Sequence, residues 1–155
     1  MLRLSKLANY AVVVLIRLSQ GERVQTVPQI AHTTGVPEPT VAKVLKALCA
    51  SGLVLSLRGA RGGYLLAQQL GEIPVSKVIA AIDGPIALTA CVEGSSLICP
   101  AQHHCPVSGR WDVVNHAIQT ALDSISLGEM AAVSLPRATQ PAYFEPQVAA
   151  KELTR

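Results

Sequence analysis

The sequence predicts a mainly α protein carrying one small β hairpin, and three observations lead there. Apolar residues recur at steps of three and four in several separate stretches, which is the helical period. Two short strand-like runs, Leu53–Leu57 and Tyr64–Leu66, flank the turn Arg58-Gly59-Ala60-Arg61-Gly62-Gly63. Half of the residues are hydrophobic but only 3% are aromatic and 15% charged, so the core is aliphatic and a large apolar surface is left for an interface. A chain of 155 residues buries one sizeable core with an appended element rather than two full domains.

The first helix is read from Leu4, Leu7, Ala8, Ala11, Leu15 and Leu18, which share one face, with Gly21 as the stop. Val12, Val13, Val14 and Ile16 widen that face, so the helix is expected to be covered on more than one side. Basic residues ahead of an apolar run also suit a signal peptide. Arg17 closes the run and no small-residue cleavage pattern follows, so it is read as a mature helix of a cytoplasmic protein. No apolar run reaches the roughly 18–20 residues of a membrane span, and no membrane partner is expected.

The second helix starts near Thr26 or Val27, with Pro28 in its first turn, and Gly35 ends it. The third is entered through Glu38-Pro39 and buries Val41, Val44, Leu45 and Leu48, leaving Thr40, Lys43, Lys46 and Ala47 outside. A short helix, a glycine turn and a one-sided helix form the helix-turn-helix pattern, in which the second helix meets the DNA major groove. The basic hairpin that follows suits a wing, its glycines permitting close approach and its arginines phosphate or minor-groove contact.

Charge separates along the chain. Residues 1–70 hold eight basic and two acidic residues, a net of +6, while residues 71–155 hold five and eight, a net of −3. Only the first part is suited to a polyanion.

Within this stretch, IA-x3-GVPEPTVAKVLKALCASGLV followed by S-x-RGARGGYLLA resembles the winged-helix repressors that include the IscR-like iron–sulfur regulators of the Isc and Suf assembly operons and the nitric-oxide-sensing repressors. The N-terminal LSKLANYAVVVL is similar to the Suf-type members. The resemblance covers roughly residues 1–130 and implies a DNA-binding regulator, a repressor rather than an enzyme. It implies that Pro39, Thr40 and Lys43 meet base edges or nearby phosphates and that Arg58 and Arg61 follow the minor groove. The partner is then double-stranded DNA, as a pseudo-palindromic operator.

Residues 74–84 read as a short helix ended by Gly84. Next comes CVEGSSLICPAQHHC, a loop with Cys91, Cys99 and Cys105 and with His103 and His104 before the last. Three thiols in one loop of a reducing cytoplasm favour metal or redox chemistry over structural disulfides. Spacing alone leaves a zinc site and an iron–sulfur cluster both open. The resemblance implies the cluster, with 2Fe–2S taken ahead of 4Fe–4S and zinc or a thiol switch as the alternative. The Isc-type histidine three residues after the last cysteine is replaced here by Ser108, and the acidic residue of the nitric-oxide sensors by Asn9. His103, His104, Glu93 or an exogenous ligand would complete the set. Cys49, beside Leu48, is read as packing.

Trp111, Val114, Ile118, Ala121 and Ile125 then step as a two-heptad seam, widened by Ala117 and Leu122 and ended by Gly128. This stretch is expected to be a long helix that pairs two copies as a homodimer. Residues 134–155, with Pro136, Pro141 and Pro146, are expected to form a mobile tail. The division is therefore 1–70 as a winged helix-turn-helix DNA-binding domain, 71–130 as cysteine loop and dimer helix, and 131–155 as tail. No nucleophile–base pairing and no phosphate-binding loop stand out. The enzymatic alternative is a thiol-redox protein using Cys91, Cys99 and Cys105, where His103-His104-Cys105 would mimic an activated thiol.

Overall fold

The computed structural model describes residues 4–21, 24–95, 97–101 and 104–132. Helix α1 (Lys6–Gln20) is capped by Ser5, whose hydroxyl accepts a 3.0 Å hydrogen bond from the Ala8 N–H, and it ends at Gly21. Ala8, Ala11, Val14, Leu15 and Leu18 are its buried face. Leu4 departs from the expected stripe: it precedes the helix and is 54% exposed.

Helix α2 (Val27–Thr34) starts at Thr26, whose N–H donates to Gln29 Oε1 at 2.8 Å. After Gly35, α3 (Glu38–Ala50) buries Val41, Val44, Leu45 and Leu48, the stripe read from the sequence. Strands β1 (Val54–Leu57) and β2 (Gly63–Leu66) pair antiparallel, Val54 opposite Leu66 and Leu57 opposite Gly63. One helix turn of tighter pitch (Leu70–Glu72) leads to α4 (Val75–Asp83).

A bridge outside the hairpin attaches it to the helices. Gln25 and Tyr64 exchange backbone hydrogen bonds of 2.9 and 2.8 Å. The approach is close enough that a Cβ on Gly63 would come within 2.7 Å of the Gln25 carbonyl oxygen, which only glycine avoids. The Gln25 side chain is buried and its Nε2 lies 3.4 Å from the carbonyl oxygens of Arg17 and Leu18. One residue thus satisfies carbonyls at the end of α1 and holds the root of the hairpin.

The sequence expectation of one long helix ending at Gly128 is corrected. Helix α5 covers Asp112–Asp123, Ser124 closes it, and a separate α6 (Leu127–Ala132) follows with Gly128 inside it. The break arises because residues 125–127 leave the helical path to pair with residues 73–75. The Val75 N–H donates to the Ile125 carbonyl at 2.9 Å and the Leu127 N–H to the Ile73 carbonyl at 2.8 Å. Ser126 then starts α6: its N–H and hydroxyl donate to the Glu129 carboxylate at 2.8 and 2.9 Å, and its hydroxyl accepts from the Glu129 N–H. Those bonds hold the Glu129 carboxyl below the usual carboxylate range.

One core joins these elements. Leu15, Ile30, Leu45, Leu48 and Leu53 are fully buried in it, together with Ile73, Val78 and Leu127. At about 25 cal/mol per Å² of apolar surface, each such side chain contributes on the order of 1.5–3 kcal/mol. Leu127 is notable because it enters the core of α1–α4 from the far side of the cysteine loop.

Candidate functional site

The outer surface of α3 and the hairpin tip form one candidate interface. Pro39 and Lys43 are exposed and Thr40 is half-buried at the start of α3, while Arg58 and Arg61 are both exposed on the hairpin connection. Opposite them, Val41, Val44, Leu45 and Leu48 anchor α3 so that its polar side faces solvent. The helix presents the Thr40 hydroxyl and two exposed lysines, Lys43 and Lys46, and the tip presents two guanidinium groups capable of bidentate phosphate contact. Cys49, on the inner side of α3, packs against the core, and burial pushes its thiol pKa up. That fits the packing role read from the sequence.

The cysteine loop is the second candidate. Cys91, Cys99 and Cys105 are half-buried free thiols. The Cys91 Sγ lies 3.2 Å from Thr89 Oγ1. Neighbouring Val92 is buried, and the Glu93 N–H donates to Asp112 Oδ1 at 2.8 Å, fastening the start of the loop to the first turn of α5. Among the described residues, no three His, Cys, Asp or Glu side chains stand close enough together to hold a metal ion. Of the fourth-ligand candidates, Glu93 and His104 are exposed, and His103 lies outside the described residues. Asn9 is exposed on α1 and Ser108 is half-buried near Cys105.

Two polar side chains that the sequence reading passed over position α5. Asn115 is buried, and its amide spans a loop: Nδ2 donates to the Ile86 carbonyl at 2.9 Å and Oδ1 accepts from the Leu88 N–H at 3.0 Å. Ser76, buried on α4, donates to the Asp123 carboxylate. An asparagine amid apolar residues in an amphipathic helix is the signal that could have found the first, since a buried amide must find partners. Ser76 carried no such signal. Apart from Leu122, which packs partly on the core, and half-buried Ile118, the apolar residues of α5 and its flanks lie open: Val113 and Val114 within it are 77% and 42% exposed, and Trp111 and Ile125 beside it 42% and 44%.

Tests against known proteins agree with this geometry. The model of the Rrf2 family, iron-dependent transcriptional regulators, matches residues 4–133. Protein aau3 of Rhizobium meliloti (strain 1021) is 32% identical over 124 residues, covering 79% of this chain and 76% of its own. The HTH-type transcriptional regulator IscR of Cronobacter sakazakii is 29% identical over 131 residues, covering 83% of this chain and 80% of its own. The solved structure of CymR, titled the global cysteine regulator of B. subtilis, has 29% identity and a TM-score of 0.63, covering 84% of this chain and 97% of the other. The matched family, IscR and CymR are regulators and not enzymes. No helix among the described residues is long and apolar enough to cross a membrane. With its helix-turn-helix, its hairpin wing and this match over nearly its whole described length, the chain belongs to the Rrf2 family of winged-helix, DNA-binding transcriptional regulators.

Proposed function

We propose that the protein is a homodimeric cytoplasmic repressor that binds a pseudo-palindromic operator and responds to the state of Cys91, Cys99 and Cys105. The observation that carries this reading is the open apolar side of α5, directly after the cysteine loop. Contiguous apolar surface of this kind is normally covered, and a two-fold pair of copies covers it while setting two readers one helical turn of DNA apart. Pro39, Thr40 and Lys43 then lie against base edges or nearby phosphates, and Arg58 and Arg61 along the minor groove.

The donor set of three free thiols suits a thiolate-held group, and an iron–sulfur cluster, 2Fe–2S ahead of 4Fe–4S, is the reading preferred over zinc. When bound, such a group supplies redox chemistry at soft ligands. Holding it requires the loop to draw Cys91, Cys99 and Cys105 together, so ligation and loop folding are one event. That event pulls on α5 through the Glu93–Asp112 bond. Helix α5 in turn reaches the reader through Ser76–Asp123, the pairing of residues 125–127 with 73–75, and Leu127 in the core. Coupling between sites is typically about 1–3 kcal/mol, a change of roughly 5–150-fold in DNA affinity. Cluster-assembly genes are the proposed targets.

The test is to purify the protein without oxygen, record its visible spectrum, measure its mass in solution, and footprint both forms on its own promoter. A coloured dimer whose protection changes on cluster loss is expected. A colourless protein with stoichiometric zinc would sink the cluster reading, and a monomer that keeps full affinity would sink the dimer.

A further inference from the structure

A hollow at the corner of α1 and α2 uses no residue of the α3 surface, the wing tip or the cysteine loop. Arg17, Pro28, Gln29, His32 and Thr33 line it together with the buried Gln25, and its volume is about 390 Å³. The half-buried Arg17 is held in place there. Thr33 directs its hydroxyl hydrogen into its own helix, with Oγ1 at 2.9 Å from the Gln29 carbonyl oxygen and 3.1 Å from that of Ile30. The same oxygen then accepts from Arg17 Nε at 2.9 Å. That bond fixes the guanidinium and leaves its terminal nitrogens as donors.

Gln29 is oriented in the same way. Its Oε1 accepts from the Thr26 N–H and hydroxyl at 2.8 and 3.0 Å, so its amide nitrogen remains a donor. His32, which is exposed, adds a ring N–H in either neutral tautomer. No Asp or Glu stands among the described residues that line the hollow. Donors of this kind without a carboxylate to answer them suit an oxyanion, and a guanidinium matches phosphate as a bidentate pair. An arginine in the last turn of a helix also interacts with the helix dipole, but that role needs neither the Thr33 tether nor the hollow.

We propose that the α1–α2 corner binds a phosphate oxyanion, with Arg17 as its charge, Thr33 as the tether of Arg17, and Gln29 and His32 as further donors. The phosphate belongs either to the DNA backbone or to a free phosphate compound, since both present the same oxygens to Arg17. The site uses neither the cysteines nor the dimer, so its test is independent of theirs.

The experiment titrates inorganic phosphate into the full chain, isotopically labelled for nitrogen NMR, at constant ionic strength, with chloride as the control. A saturable shift of the Arg17 Nε–H signal and of the amides of residues 29–33 is expected with phosphate and not with chloride. Arg17→Leu should raise the half-saturating phosphate concentration by roughly tenfold or more, and Thr33→Val by roughly threefold. No saturable shift, an equal response to chloride, or half-saturation in Arg17→Leu within about twofold of wild type would overturn the site. Thr33→Val keeps the charge, so it decides the matter should Arg17→Leu fail to fold: unchanged phosphate binding in it would overturn the tethered arginine. Duplex DNA from the protein's own promoter separates the two sources. If the backbone supplies the phosphate, bound DNA abolishes the response to inorganic phosphate and Arg17→Leu lowers the salt slope of DNA binding by about one unit. If a free phosphate compound supplies it, inorganic phosphate still shifts Arg17 Nε–H in the DNA complex and the slope is unchanged. Either result upholds the site.

Discussion

Residues 4–84 and residues 85–132 bury their apolar side chains by opposite rules. In the first region nearly every leucine and valine with helical spacing has a partner within the same chain: Leu15, Ile30, Leu45, Leu48 and Val78 are all fully buried. In the second, Leu97, Ile98, Val107, Trp111, Val113, Val114, Ile125 and Met130 are all exposed, while among its described hydrophobic residues Val92 and Leu127 are buried and Ile86 and Leu122 pack partly against the core. The hydrophobic share hardly differs between the two. The first region folds against itself, whereas the second leaves much of its apolar surface open and is held by a few apolar contacts and by the polar ties of Asn115, Ser76–Asp123 and Glu93–Asp112.

Leu127 breaks the rule for its region, so it offers the sharpest test. Leu127→Ala should lose about 2–5 kcal/mol of stability in urea unfolding, as a buried core leucine does. A loss near that of an exposed residue would mean that α6 is not part of the reader core. Next comes the glycine contact, where a Cβ on Gly128 would lie 2.9 Å from the Gly71 Cα. Gly128→Ala forces backbone against backbone and should cost about 1–3 kcal/mol. Gly71→Ala on the facing turn adds a methyl with nothing within 4 Å, and should be close to neutral. Equal effects of the two would show that the contact is not tight.

Arg61→Ala leaves the fold alone and acts on DNA. Binding should weaken on all sequences, with the salt slope reduced by about one unit. An unchanged slope would remove the wing tip from the interface. Lys43→Ala, by contrast, should change which sequence is preferred.

The smallest effect concerns Glu129, which is fully exposed. Its hydrogen bonds from Ser126 hold the folded-state pKa below the unfolded one. Their contribution is therefore present above the ordinary carboxylate range and is lost as pH falls through the lowered folded value. Glu129→Gln should unfold slightly more easily than wild type at neutral pH, and the gap should close in acid. A gap that widens in acid would contradict the capping role.

Much of the reader was legible in the sequence because its physics is local. The α3 stripe, the Gly21 and Gly35 stops, the start near Thr26 or Val27 and the two strands of the hairpin follow from spacing, caps and turn residues within a few positions of one another. Leu4 was misassigned because its spacing matched the stripe although the Ser5 cap begins the helix after it. The cysteine loop was legible as chemistry but not as geometry, since residue spacing says nothing about how a glycine-, serine- and proline-containing loop folds. The end of α5 was misjudged for a related reason: helical periodicity continues to Ile125, but the backbone there is taken by residues 73–75.

By itself the sequence determined that this chain is mainly helical with a basic wing, that α3 turns its polar side outward, and that three thiols share one loop. Periodicity, capping and charge suffice for those, because each acts over a few residues. Only the tertiary structure decided that Gln25 ties the wing to α1, that the seam helix stops at Asp123, and that Leu127 returns to complete the reader core. Those outcomes depend on contacts between residues far apart in the chain, Gln25 with Tyr64 and residues 73–75 with 125–127, where closing the chain costs entropy that a packed core repays.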